Sequence, residues 1–163
     1  MKHKLYPDYD FKSVGDITDE VFDKYRFIIF DLDNTIAPYE QHEPSEQNLR
    51  LFEMLNSKGI TFAFISNNGE SRLKRFCEGH GWHYVHKARK PSARGVKRCL
   101  DRWGASAEQA LMIGDQLLTD CAAAHRAGVD FCLVEPIRDR KNLLFRIKRA
   151  IEKPILKKYR KEG

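Results

Sequence analysis

Two carboxylates one residue apart, Asp31 and Asp33, stand directly behind the apolar run Phe27-Ile28-Ile29-Phe30. The run predicts a buried parallel strand, and the carboxyl end of such a strand is where an α/β sheet places its chemistry. Two acids held there repel each other and lose hydration unless a cation or a charged substrate offsets them, so the pair points first to a magnesium site. The plainer alternative is a helix N-cap cluster, because Asp, Asn and Thr in Asp31-Leu32-Asp33-Asn34-Thr35 all cap well.

Three further features follow in an order that suits phosphate chemistry. Thr61-Phe62-Ala63-Phe64-Ile65 is a second strand-like run and ends in Ser66-Asn67-Asn68, whose hydroxyl and amides can donate to phosphate oxygens. Lys90-Pro91 comes after a short extended segment around Tyr84-Val85 and sets a point positive charge just before a helix that tolerates proline in its first turn. Leu111-Met112-Ile113 runs into Gly114-Asp115, with Asp120 five residues on at the start of another helix.

This order resembles the haloacid dehalogenase (HAD) superfamily of phosphohydrolases, whose motifs are Asp-x-Asp-x-Thr/Val, a Ser or Thr, a Lys, and an acidic pair after Gly. The likeness covers nearly the whole chain. It implies Asp31 as nucleophile, Asp33 as general acid/base, Ser66, Asn67 and Lys90 as phosphate ligands, and a magnesium site drawing on Asp31, Asp33, Asp115 and Asp120. The Asp-Leu-Asp-Asn-Thr, Ile-Ser-Asn-Asn and Lys-Pro forms are similar to subfamily IIIA. More narrowly they resemble the YqeG-type phosphatases, relatives of mitochondrial phosphatidylglycerophosphate phosphatases.

The chemistry accounts for these residue types without the resemblance. Phosphate monoesters hydrolyse so slowly that enzymes supply accelerations up to ~10²¹-fold, mostly by positioning and by stabilising charge on the transferring phosphoryl group. A cation screens a carboxylate nucleophile from an anionic phosphate, a lysine neutralises part of what remains, and a second acid two residues on moves the proton. An Asn at position 33 could not do that last task.

At 163 residues and 42% apolar content the chain fits one hydrolase domain over 1–163, with an N-terminal extension 1–25 and a basic C-terminal segment 138–163. Helices are expected over 46–58, 71–78, 92–103, 118–127 and 141–153, with Gly59, Gly104 and Gly128 just past helical patterns. Strands at 27–30, 60–65, 83–85, 110–113 and 131–134 complete a three-layer Rossmann-like α/β fold: a five-strand parallel sheet with helices on both faces. The superfamily's strand order makes the first and fourth of these neighbours. The intervals that carry cap domains in many HAD enzymes hold little more than one helix each, so the site is expected to be open and to suit a large substrate. Ile36 to Glu40 could form a small flap or a plain loop.

Cys77, Cys99, Cys121 and Cys132 lack metal-ligand spacing and read as reduced core thiols. His80, His83 and His86 recur every three residues, but Gly79 and Gly81 break any helix that would align them for a metal. A short helix is expected near Thr18, with Tyr6, Tyr9 and Phe11 before it as packing residues. No apolar span of ~18 residues or signal-peptide core is visible, so the expected location is cytosolic, with peripheral contact at the inner membrane face left open.

From Arg138 to Gly163 the chain carries eleven Lys and Arg against three Asp and Glu, so this segment is +8 where the whole is +6. Leu143, Leu144, Ile147, Ala150 and Ile151 recur at helical spacing and are expected to pack on the sheet, leaving a basic face that could meet an anionic bilayer or nucleic acid. The leading expectation is a Mg2+-dependent phosphomonoester hydrolase working through an aspartyl phosphate, with phosphatidylglycerophosphate, and hence phospholipid metabolism, suggested by the resemblance. The alternatives are a phosphatase of nucleic-acid ends, phosphoprotein or phosphosugar, and a non-catalytic RNA- or ribosome-binding module.

Overall fold

The computed structural model describes residues 4–138 and 142–163. Lys141, where the sequence places the start of the last helix, lies outside them, as do residues 1–3. The chain runs through β1 (Tyr9–Phe11), α1 (Asp19–Phe22), β2 (Phe27–Asp31), α2 (Glu46–Ser57), β3 (Thr61–Ile65), α3 (Glu70–Cys77), β4 (His83–Val85), α4 (Arg94–Trp103), β5 (Ala110–Gly114), α5 (Ala122–Arg126), β6 (Asp130–Val134) and α6 (Leu143–Glu162). A single π turn, Leu117–Cys121, leads into α5.

All strands pair in parallel, in the order β1-β6-β5-β2-β3-β4. The sheet therefore has six strands, not the five expected. The additional strand, β1, is only three residues long and half-buried, and its pairing with β6 is secured from outside it. Asp8 donates its N–H to the Phe131 carbonyl (2.8 Å) and accepts the Phe131 N–H on its carboxylate (2.8 Å). Such a contact between distant residues has no local sequence signal.

Strands β2 and β5 are neighbours, as expected, and from them the chain proceeds in opposite directions across the sheet. Their carboxyl ends form the switch point, the place where an open α/β sheet leaves a crevice. Every residue of β2 and β5 is buried, which explains why both read as continuous apolar runs rather than alternating ones. On one face of the sheet the rings of Phe30, Phe52, Phe62, Phe64, Phe76 and Trp82 pack edge-on and stacked. The other face carries smaller residues, among them Ile29, Ala63, Met112, Ala123 and Ala124.

Helix α2 opens with a capping box, the Ser45 hydroxyl accepting the Asn48 N–H and the Asn48 carbonyl oxygen accepting the Ser45 N–H (3.1 and 2.9 Å). Asn48 also donates to the Ile36 carbonyl (3.2 Å), tying α2 to the loop behind Asp31. Gly59, Gly104 and Gly128 all have positive φ where the helices end. The four cysteines are buried and unpaired.

Helix α6 departs from expectation in two ways. It passes through Pro154 and continues to Glu162 instead of ending near Lys153. Proline withholds the N–H that the Ala150 carbonyl would accept, but Ala150 and Pro154 are both exposed, so water can serve that carbonyl. Its apolar stripe also faces outward: Leu143, Leu144, Ile147 and Ile151 are exposed, whereas Phe145 and Glu152 are buried and Ile155 and Leu156 pack on the core. Periodicity identifies an apolar face without saying which way it points.

Candidate active site

The chain behind β2 is wound so tightly that Asp31 and Asp33 diverge. The Leu32 carbonyl accepts from the N–H groups of Thr35, Ile36 and Ala37 (3.3, 3.1 and 3.3 Å), and Asn34 takes φ 67°, a left-handed conformation that Asn tolerates better than most residues. The Asn34 amide clasps the Arg138 backbone, accepting its N–H and donating to its carbonyl (2.9 and 2.6 Å). Thr35 Oγ1 lies 3.3 Å from Asp31 Oδ2 and 3.1 Å from Asp115 Oδ1, bridging the ends of β2 and β5.

Asp31, Asp115 and Asp120 converge there. One carboxylate oxygen from each lies within 4.8 Å of the others, and all three side chains are buried; among the described residues this is the one group of acids, histidines or cysteines arranged to hold a metal ion. Gly114 makes the convergence possible, since a Cβ at that position would sit 2.6 Å from Asp120 Oδ2. Lys90 bridges two of the acids, its Nζ donating to Asp31 Oδ1 (2.7 Å) and Asp120 Oδ1 (2.6 Å).

The electrostatics follow from this crowding. Burial, and then the Asp120 charge, push the Asp31 carboxyl well above its ordinary range against the pull of Lys90. Burial and Asp120 likewise push Asp115 up to about 6, opposed by Arg149 and Lys90. Burial alone would lower the Lys90 ammonium, but Asp120 and Asp31 outweigh it and hold the group raised. Asp115 Oδ2 is buried without a hydrogen-bond partner, the nearest cation being Arg149 Nη2 at 3.7 Å. Crowded hard oxygens with an orphaned lone pair are what a divalent cation such as magnesium coordinates, so the residues present fit one.

The remaining sequence-predicted residues are placed around this trio. The Ser66 hydroxyl oxygen accepts the Asn68 N–H (3.1 Å), which leaves its proton as the donor it can offer. Asn67, expected on the phosphate, instead has both ends of its amide engaged by the Lys90 backbone: Oδ1 accepts the Lys90 N–H (2.7 Å) and Nδ2 donates to the Lys90 carbonyl (3.0 Å). It sets the lysine's position. The Asp33 carboxylate, expected at the metal, lies outside the trio and accepts from Asn68 Nδ2 (2.9 Å) and Arg72 Nε (3.0 Å). His80 stacks on the Trp82 ring, and His83 lies tilted against Trp103 with ring centroids 4.7 Å apart.

Three groups escaped the sequence reading. Arg72, buried in the first turn of α3, pairs with Asp33 and donates to the Pro38 carbonyl (3.0 Å) while lying under the Tyr39 ring. Its one sequence signal is a cation a few residues behind Ser66-Asn67-Asn68. Arg149 and Glu152 reach in from α6; Glu152 accepts the Leu118 N–H (3.0 Å) and pairs with Arg149 Nη1 (3.2 Å). Nothing among the eleven Lys and Arg spread over 138–163 distinguishes Arg149.

The parallel sheet, its switch point and the acids clustered there define a hydrolase of HAD type. A HAD-hydrolase-like family model matches residues 87–144. The chain is 32% identical over 165 residues to "Probable phosphatase YqeG" of Bacillus subtilis (strain 168), covering 100% of this chain and 96% of that protein. It therefore belongs to the HAD-like hydrolases and, within them, to the YqeG-type phosphatases. Similar solved structures include the cobalt-bound deoxy-D-mannose-octulosonate 8-phosphate phosphatase of Haemophilus influenzae, with TM-score 0.56 and 20% identity over 68% of this chain and 70% of that one. Another is the 3-deoxy-D-manno-octulosonate 8-phosphate phosphatase of Yersinia pestis, with TM-score 0.54 and 19% identity over 71% of this chain and 69% of that one. These two likenesses are of fold.

Proposed function

We propose that the protein hydrolyses a phosphate monoester by way of an aspartyl phosphate on Asp31, within one domain formed by the whole chain. The observation that carries this reading is the convergence of Asp31, Asp115 and Asp120 at the switch point, two of them bonded to one buried lysine. These three acids would hold a magnesium ion, which when bound would neutralise charge between carboxylate and phosphate. An Asp31 carboxylate oxygen attacks phosphorus as the bond to the alcohol oxygen breaks, and that oxygen takes a proton from Asp33. Asp33 then takes a proton from water, whose oxygen attacks the phosphorus of the aspartyl phosphate; inorganic phosphate leaves and the Asp31 carboxylate is restored.

Lys90 has three N–H donors, two of them engaged by Asp31 and Asp120, which leaves one for a phosphate oxygen. Ser66 offers its hydroxyl proton to a second. Arg72 and Asn68 each hold one oxygen of the Asp33 carboxylate, so that the orientation of the group is set.

For the substrate we favour the terminal phosphate of an anionic phospholipid, phosphatidylglycerophosphate. The motif forms support it, as does the single helix, α2, between Asp33 and Ser66, where a closing domain would otherwise sit. The deciding experiment incubates the protein and an Asp31→Asn variant with Mg2+ and, separately, phosphatidylglycerophosphate in detergent, nucleotides, phosphopeptides and octulosonate 8-phosphate. The lipid should be hydrolysed fastest, with phosphate trapped on Asp31 and the variant folded but inactive. A preference for the sugar phosphate would replace the lipid assignment, and phosphate trapped on any other residue would refute the mechanism.

A further inference from the structure

Helix α6 has two unlike sides. Counting 100° per residue, Phe145, Arg149, Glu152 and Leu156 fall on one side, and this side meets the protein. Leu143, Leu144, Ile147 and Ile151 fall on the other, and these residues are 71%, 60%, 48% and 51% exposed. Four large aliphatic residues exposed as one stripe on a 20-residue helix form a patch of the kind that marks an interaction site.

The charges around the stripe say what covers it. Exposed Arg146 and half-buried Lys148 flank it on either side, and beyond Pro154 the same side of the helix continues as Lys157, Lys158 and Lys161. In all, α6 holds eight Lys and Arg against two Glu; the whole chain is +6, so the rest of the molecule is neutral. Two copies meeting through this face would bring one +6 helix against another. Nucleic acid would satisfy the cations and leave Leu and Ile unused, since the exposed stripe carries no aromatic ring on which a base could stack. An anionic bilayer satisfies both, taking the aliphatic side chains at the acyl boundary and the cations at the headgroups. No helix among the described residues is long and apolar enough to cross a membrane, so such contact lies in the interface.

We infer that the outer face of α6 docks on an anionic lipid surface, through the Leu143 to Ile151 stripe together with the lysines that follow it. The opposite side of the same helix places Arg149 3.7 Å from Asp115 and Glu152 on the Leu118 N–H. A docked α6 thus holds the acid cluster about one helix diameter, ~10 Å, from the bilayer. The lipid substrate proposed above gives this docking a purpose, but the contact itself is tested without turnover.

The test is flotation of the full chain with phosphatidylcholine vesicles, with and without phosphatidylglycerol. The expected result is binding only to the phosphatidylglycerol vesicles, weakened by salt and reduced at least about tenfold by Leu144→Glu with Ile147→Glu and, separately, by Lys157→Glu with Lys161→Glu. A far-ultraviolet circular dichroism spectrum and a melting temperature unchanged in both variants show that the fold survives. Failure of the wild type to bind, binding unchanged by the variants, or a dimer dissolved by the same substitutions overturns the inference. Vesicle binding without hydrolysis of phosphatidylglycerophosphate refutes the substrate reading and keeps the docking surface; hydrolysis in detergent without vesicle binding does the reverse.

Discussion

Replacing Asp115 by Asn should stabilise the metal-free protein at neutral pH, although most substitutions of buried polar residues destabilise. The fold raises the Asp115 carboxyl from an ordinary value near ~3.9 to about 6, through burial first and the Asp120 charge second. A carboxyl raised on folding favours the native state while protonated, and that advantage is lost as pH rises through the folded value. Linkage converts the shift of about two units into a penalty on wild type of under ~0.5 kcal/mol at pH 4 and about 3 kcal/mol at pH 8. Asn cannot ionise, and its carbonyl keeps the Thr35 contact that Asp115 Oδ1 makes at 3.1 Å. Urea denaturation in EDTA across this pH range should show the variant's advantage growing toward pH 8. Mg2+ at a thousand times Kd should reverse the order even at pH 8, because binding then adds ~4.1 kcal/mol to wild type alone. A metal-free variant less stable than wild type at pH 8, or a difference that does not change with pH, would refute this account of the site.

Arg72→Ala should cost about 3–5 kcal/mol in chemical denaturation by leaving Asp33 buried without its guanidinium, and Arg72→Lys should recover only part because it cannot serve both Asp33 and the Pro38 carbonyl. Gly114→Ala drives a methyl into the Asp120 side chain; calorimetry should show a loss of Mg2+ affinity out of proportion to a stability cost of about 1–3 kcal/mol. Deletion after Pro154 should lower thermal stability and activity on a soluble substrate, because it removes Ile155 and Leu156 from the core, the Tyr159 ring from Tyr6 and Arg160 from Asp10 (2.8 Å), and should lower activity on lipid vesicles further, because Lys157, Lys158 and Lys161 go with them.

The parts of this molecule legible in its sequence are those whose cause is local. A strand buried on both faces must be apolar throughout, so β2, β3, β5 and β6 announced themselves, and the polar residues that end β2, β3 and β5 marked the site. Cap glycines fixed three helix ends. What stayed hidden depends on residues far apart in the chain. Strand β1 relies on Asp8 and Phe131, more than a hundred positions away. The partner of Asp33 is Arg72, 39 positions on, and the partners of Arg149 are decided by how α6 is docked. For α6 the periodicity was right and the direction wrong, because its inward side mixes Phe145, Ile155 and Leu156 with an ion pair that satisfies the Leu118 N–H.

That ion pair also fixes the charge of the site. Glu152 balances the charge of Arg149 and Asp33 that of Arg72, so Lys90 is the one cation left to set against Asp31, Asp115 and Asp120. The excess is two negative charges, buried, with one carboxylate oxygen unpartnered. The raised Asp31 and Asp115 carboxyls show the strain of that excess, which one divalent cation cancels and a monovalent one only halves. A phosphate dianion entering the metal-free site would double the uncompensated charge, whereas with the cation in place it finds a neutral cluster and a free N–H on Lys90. Phosphate and metal should therefore bind interdependently. Titration calorimetry with inorganic phosphate should show binding in Mg2+, none in EDTA and none in Na+ alone, and Asp120→Asn, which removes one of the two excess charges, should restore part of the metal-free affinity. Phosphate binding of equal strength with and without Mg2+ would mean that cations other than those at this cluster hold the phosphate.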